Sequence, residues 1–164
     1  MVSSRIGKVM VVVVAMGLLA AACSKSSTSA STTASISPSG AQPVTVGTAS
    51  TGLGTFLVGP EGKSLYLFEA DTSSQSTCSG ACAVGWPPIT TTGPPVAGNG
   101  VMRSLLSTSP RDDGTLQVVY KGHPLYYYSG DTKAGDTNGE GLKAFGAGWD
   151  VVSPGGNKIE KPGG

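Results

Sequence analysis

Two stretches sixty positions apart carry the same pattern of side chains: Leu65-Tyr66-Leu67-Phe68-Glu69-Ala70-Asp71 and Leu125-Tyr126-Tyr127-Tyr128-Ser129-Gly130-Asp131. Both read Leu-Tyr-x-aromatic-x-x-Asp. An extended apolar run comes before each, Thr55-Phe56-Leu57-Val58 in one and Leu116-Gln117-Val118-Val119-Tyr120 in the other. A Gly-containing turn joins run to motif, Gly59-Pro60-Glu61-Gly62-Lys63 and Lys121-Gly122-His123-Pro124. A polar loop and a tryptophan follow, Trp86 at 15 residues past Asp71 and Trp149 at 18 past Asp131. Strand, turn, aromatic strand, Asp, loop and Trp in one order is an internal repeat, which has to be recognised before any fold is assigned.

Within each repeat the apolar run and the aromatic strand flank a turn, which reads as a β-hairpin. Tyr66 and Phe68 fall on one face of the aromatic strand and Leu65 and Leu67 on the other. A strand apolar on both faces is expected to be central or covered on both sides. With 25 glycines, 11 prolines and only 13% charged residues in 164, the chain suits short strands and many turns better than long helices. The expected fold class is all-β: a small single domain of two pseudo-repeated hairpin units over residues 51–158, with a disordered N-terminal tether and a short tail at 159–164. About 100 residues are enough for one small core.

The N-terminus has its own logic. Arg5 and Lys8 precede an apolar run from Val9 to Leu19, then Ala20-Ala21-Ala22-Cys23. A basic segment, a short apolar segment and small residues are the order of a secretory signal. The run is shorter than the roughly 20 residues needed to span a bilayer. Cys23 directly after the small residues resembles the lipobox of bacterial lipoproteins, although Ala20 stands where Leu is usual and Leu19 comes one place early. That resemblance implies a signal peptide at 1–22, cleavage before Cys23, and acylation of Cys23, palmitate included. Two acyl chains hold a protein on a membrane where one binds only marginally. Residues 23–50 are rich in Ser, Thr and Ala and are expected to be the flexible linker, since they offer too little apolar surface to offset the entropy of ordering. Loss of Arg5 and Lys8 leaves nine basic against ten acidic groups. Such a chain has no basic field for nucleic acid.

Cys78 and Cys82 are the cysteines that remain. In an oxidising compartment a close pair is most simply a disulfide, and Gly80 permits the turn that bridging requires. Cys-x-x-x-Cys is neither the thioredoxin spacing nor half of a complete zinc site, and no His follows for haem attachment. No cofactor is called for. Trp86, extended by Pro87, is expected to cover the core by default or to present a face to a ligand. His123, in a turn, has no marked nucleophile for a triad. Asp136-Thr137-Asn138-Gly139-Glu140-Gly141 resembles the opening of a calcium loop, with Asp136, Asn138 and Glu140 as ligands. Ala147 stands where the closing bidentate Glu belongs, which favours a polar turn. Asp71 and Asp131 each leave an aromatic strand at the same offset, so they are expected to fix the chain's exit by accepting loop N–H groups, as in Asx turns.

Taken together, the lipobox, the Ser/Thr tether and the two repeats resemble the bacterial lipoproteins with a Yx(FWY)xxD motif, the secreted repeat of unknown function. The matching residues are Tyr66, Phe68 and Asp71, then Tyr126, Tyr128 and Asp131, with Cys78, Cys82 and Trp86-Pro87-Pro88 fitting the first repeat. The likeness spans residues 54–153 and implies a secreted or surface-anchored β-rich protein. It supplies no reaction. The leading expectation is a non-enzymatic binding or interaction module of the cell envelope, held to the membrane by lipid on Cys23. Its partner would be an envelope protein or glycan, with Trp86, Tyr127 and Trp149 as the possible stacking surface. The alternative is an accessory to extracytoplasmic redox or metal handling, through Cys78, Cys82, His123, Met102 and the acidic loop. A hydrolase would need a nucleophile–base pair that no motif here marks.

Overall fold

The computed structural model describes residues 42–160. Cys23, the signal segment at 1–22, the linker as far as residue 41 and residues 161–164 lie outside the described residues. The described residues fold as an all-β domain of short strands with a single turn of α-helix among them. β1 (Thr45–Thr51) and β2 (Gly54–Val58) form an antiparallel hairpin, with Gly47 opposite Val58 and Thr51 opposite Gly54. In the second repeat β6 (Leu106–Pro110) and β7 (Leu116–Tyr120) do the same, with Leu106 opposite Tyr120. The fold therefore starts six residues ahead of the boundary expected at residue 51. Val46 of β1 is fully buried, and Ala49 packs against the aromatic cluster. At the other end Ile159 donates its N–H to Val151 O at 2.9 Å and packs on the core, so the ordered chain runs past residue 158.

The expected hairpins form, but only beside their turns. β2 meets the start of its own aromatic strand at Val58 opposite Ser64, with Leu65 N–H on Leu57 O, and β7 meets β8 (His123–Pro124) at Val119 with Pro124 and Tyr120 with His123, with Leu125 N–H on Val118 O. Beyond those contacts each aromatic strand crosses to the other repeat. β3 (Tyr66–Phe68) pairs antiparallel with β10 (Ala147–Val151), Tyr66 opposite Val151 and Phe68 opposite Trp149. Tyr126 pairs with Pro88, two residues past Trp86, as Val151 is two past Trp149. The aromatic strands meet each other at one bridge, where Tyr66 and Tyr126 exchange N–H···O bonds of 2.8 and 3.0 Å. The two repeats are thus interlocked about an approximate two-fold axis at that bridge, and neither is a separate hairpin unit.

The main chain repeats this symmetry on both sides. Leu57 N–H donates to Val152 O, Val152 N–H to Leu65 O, and Leu65 N–H to Leu57 O, closing a ring of three bonds. Val118, Ile89 and Leu125 close the same ring in the other half. Backbone groups in a core need partners, and these rings supply them where no long ladder exists.

Two buried clusters fill the interior. One holds Phe56, Val58, Tyr66, Phe68, Cys78, Cys82, Trp86, Tyr126, Trp149 and Val151. The other holds Val46, Leu57, Leu65, Leu67, Ile89, Val118, Tyr120, Leu125 and Val152. Tyr66 and Phe68 thus face one cluster and Leu65 and Leu67 the other, as an aromatic strand covered on both sides requires. β9 (Leu142–Ala144) extends the β10 sheet, while β4 (Thr90–Thr91) pairs with β7 and β5 (Val96–Ala97) runs parallel to β1.

Candidate functional site

The shared offset of the two motifs has a geometric cause. Tyr66 Oη donates to Asp131 Oδ2 at 2.6 Å, and Tyr126 Oη donates to Asp71 Oδ2 at 2.5 Å. The tyrosine of each repeat is held by the aspartate of the other. Each carboxylate turns its second oxygen to its own loop: Asp71 Oδ1 accepts from Thr77 N–H and Thr77 Oγ1, and Asp131 Oδ1 accepts from Asn138 N–H. Both aspartates are placed by a tight turn off the aromatic strand, Asp71 N–H to Phe68 O and Asp131 N–H to Tyr128 O. The expected role at the strand exit therefore appears in the geometry, but only half of each aspartate serves it. The other half closes a reciprocal clasp across the two-fold, and all four residues are buried.

Beneath the clasp the second aromatic of each motif and the two tryptophans form one stack. Phe68 lies on Trp149 (4.1 Å between centroids), Trp149 on Trp86 (4.0 Å) and Trp86 on Tyr128 (4.4 Å). Tyr66 meets Trp86 edge-on at 5.3 Å, and Tyr126 meets Trp149 edge-on at 5.2 Å. Face and edge contacts of this kind follow the ring quadrupole. Gly139 is required here, because a Cβ would stand 2.8 Å from Trp86 Cη2 and 3.0 Å from Tyr66 Cε1. Its N–H donates to Tyr66 Oη at 3.3 Å.

Burial, then the hydrogen bond to Asp131 and its charge, push the Tyr66 phenol far above its ordinary value. Burial and Asp71 do the same to Tyr126. Tyr127 is pushed up to about 12, by burial first and then by the charge of Glu61. Burial raises the Asp131 carboxyl, against the Tyr66 and Asn138 hydrogen bonds that lower it. A fold that holds phenol protons more tightly than the unfolded chain keeps that stabilisation below pH about 10, the free phenol value, and loses it as pH rises through the folded values. Alkaline difference spectroscopy on the five tyrosines should therefore show Tyr66 and Tyr126 ionising only as the domain unfolds. Free titration of all five in a folded protein would contradict the clasp.

The remaining sequence candidates are scattered. Trp86 and Trp149, expected as possible stacking surfaces, are 2% and 0% exposed. Each ring is sandwiched by others, so neither presents a face. Tyr127 is half-buried; it lines a cleft of about 440 Å³ with Pro60, Glu61, Lys63, Pro87 and Tyr128. Cys78 and Cys82 are joined as a disulfide around the short helix α1 (Ala81–Gly85), both buried in the aromatic cluster. Arg111, which the motifs did not flag, secures that loop by donating to Cys78 O, Ser76 Oγ and Gln117 Oε1. Its signal was only an Arg in an Asp-Gly turn.

The calcium-loop residues do not converge. Asp136 Oδ2 accepts the N–H groups of Thr132 and Lys133, Asn138 Nδ2 donates to Gly130 O, and Glu140 Oε2 accepts from Val151 N–H. Each is used by a different piece of backbone. Among the described residues no group of three or more His, Cys, Asp or Glu could hold a metal ion. His123 is half-buried, and burial and the neighbouring Lys121 lower its pKa. Met102 is 46% exposed.

Comparison with known proteins agrees with the repeat geometry. Residues 47–90 and 107–153 each match the family model described as a secreted repeat of unknown function. Neither curated proteins nor solved structures gave a match. The two matched segments begin near the two outer hairpins and end just past the tryptophan segments, so each covers one interlocked unit. The family's description as secreted fits an extracytoplasmic protein. The chain belongs to the family of the secreted repeat of unknown function.

Proposed function

We propose that this protein is a rigid, non-enzymatic binding module of the cell envelope, carried outside the membrane on lipid attached to Cys23. One observation carries the reading: the groups that define the repeat, Tyr66, Asp71, Tyr126 and Asp131, are buried and bonded to one another. A motif used in that way builds a frame, and recognition then falls to the loops the frame holds. The buried Cys78–Cys82 bridge supports a structural clip over exchange chemistry, since reactive thiols need access. The Tyr127 cleft is the best candidate surface, with an aromatic side chain, two prolines and charges of both signs from Glu61 and Lys63. Envelope glycan suits an aromatic platform rimmed by polar groups.

Two measurements test this reading. Cys23→Ser should abolish labelling by radioactive palmitate and leave an uncleaved precursor; normal labelling would refute the anchor. The mature chain should be retained on isolated envelope glycan, and Tyr127→Ala, checked for an intact unfolding transition, should lose about tenfold in retention, the loss of a single binding anchor. Equal retention by a folded Tyr127→Ala protein would remove this cleft as the surface.

A further inference from the structure

A second cleft, sharing no lining residue with the Tyr127 cleft, sits over the β3–β10–β9 sheet. Its floor follows from strand register. Asp150 lies opposite Leu67, and two residues back along β10 Gly148 lies opposite Lys143 of β9. Glu69 follows β3 and spans Gly148, donating its N–H to Gly148 O and accepting Gly148 N–H on Oε2. With Glu140, Lys158 and Glu160 these residues line a space of about 430 Å³. Four carboxylates and two ammonium groups give the cleft a net charge of −2.

Most of those charges are already engaged. Lys158 Nζ lies 2.9 Å from both Glu69 Oε1 and Glu160 Oε1. Glu140 is committed to the Val151 N–H at 2.7 Å. Asp150 differs from these carboxylates. It is 7% exposed, and its buried Oδ2 makes no hydrogen bond. A buried carboxylate oxygen without a partner is destabilising and calls for an explanation. A β-branched residue would suit the pleated position beside Leu67 far better. Burial raises the Asp150 carboxyl, Lys158 opposes this, and Glu69 and Glu160 reinforce it.

We propose that this cleft binds a primary ammonium group, with Asp150 as its direct acceptor. An ammonium has three donors and a compact charge, matching one unpaired buried carboxylate in a net negative site. The volume exceeds what a bare ion fills and lies within the range of small-molecule pockets. Metal ligation would need several converging donors, and no such group occurs among the described residues.

The test uses n-butylammonium chloride as probe and n-butanol as its uncharged counterpart, following backbone amide shifts of the mature chain at constant ionic strength. The ammonium should produce saturable shifts at Gly148, Asp150 and Val151, and the alcohol should not. Asp150→Asn should weaken the ammonium by at least about tenfold, as loss of a charged hydrogen bond implies, while raising the unfolding midpoint of the free protein. A purely structural Asp150 would lower that midpoint on substitution. Absent or non-saturating shifts, equal shifts with the alcohol, or unchanged ammonium binding by Asp150→Asn would each overturn the proposal.

Discussion

Trp149→Ala should cost about 3–5 kcal/mol of folding stability, the range for emptying a large aromatic site, and so bring a domain of ordinary stability, about 5–15 kcal/mol, close to unfolding. Trp149 is 0% exposed and is one of the two inner rings of the stack, with Phe68 at 4.1 Å on one face and Trp86 at 4.0 Å on the other. Its edge meets Tyr126, and its Nε1–H donates to Ala144 O at 3.1 Å. The two neighbours come from the first repeat and Trp149 from the second, so its loss separates the halves as well as opening a cavity. Of the surrounding rings Tyr126 is held by its bond to Asp71 and cannot swing into the space, which places the cost in the upper part of the range. Denaturant unfolding measures it; a loss below about 1 kcal/mol, the size of a surface change or a single hydrogen bond, would mean the stack is not the core that joins the repeats.

Tyr66→Phe should cost about 1.5–3 kcal/mol, the range for a hydrogen bond to a charged group, though it keeps the ring and its edge contacts. Without the hydroxyl, Asp131 Oδ2 loses its 2.6 Å donor inside the fold and Gly139 N–H loses its acceptor. Tyr126→Phe strips Asp71 Oδ2 of its donor at 2.5 Å and removes the oxygen that lies 2.7 Å from Ser76 Oγ. Both variants leave a carboxylate buried with only its loop contacts, which is costlier than removing both partners. A Phe variant as stable as the parent would show that the buried carboxylates are served by something other than the tyrosines.

Much of this frame was legible in the chain. The sixty-residue offset marked the repeat, apolar residues on both faces marked the aromatic strands as central, and the spacing of Cys78 and Cys82 marked the bridge. Asp71 and Asp131 were recognisable as strand exits because Asx chemistry is local. What stayed hidden is what depends on distant contacts. A repeat that closes on itself and one that exchanges strands with its neighbour have the same local pattern, so the pairing of Tyr66 with Val151 and of Tyr126 with Pro88 could not be read from periodicity. The same holds for Trp86 and Trp149, whose exposure is decided by each other. β1 was missed because Thr45–Thr51 is Ser-, Thr- and Gly-rich like the tether before it, and only Val46 in it is fully buried. The cleft around Asp150 left no signal, since an Asp in a strand of alternating character reads as solvent-facing.

The claim on which the rest depends is that each tyrosine is held by the aspartate of the other repeat, and double-mutant cycles on stability test it most directly. Tyr66→Phe combined with Asp131→Asn, and Tyr126→Phe combined with Asp71→Asn, should each show a coupling of about 1 kcal/mol or more, as bonded partners do. Tyr66→Phe with Asp71→Asn, and Tyr126→Phe with Asp131→Asn, should add to within about 0.5 kcal/mol. Coupling confined to the pairs within one repeat, with additivity across the two, would contradict the reciprocal clasp.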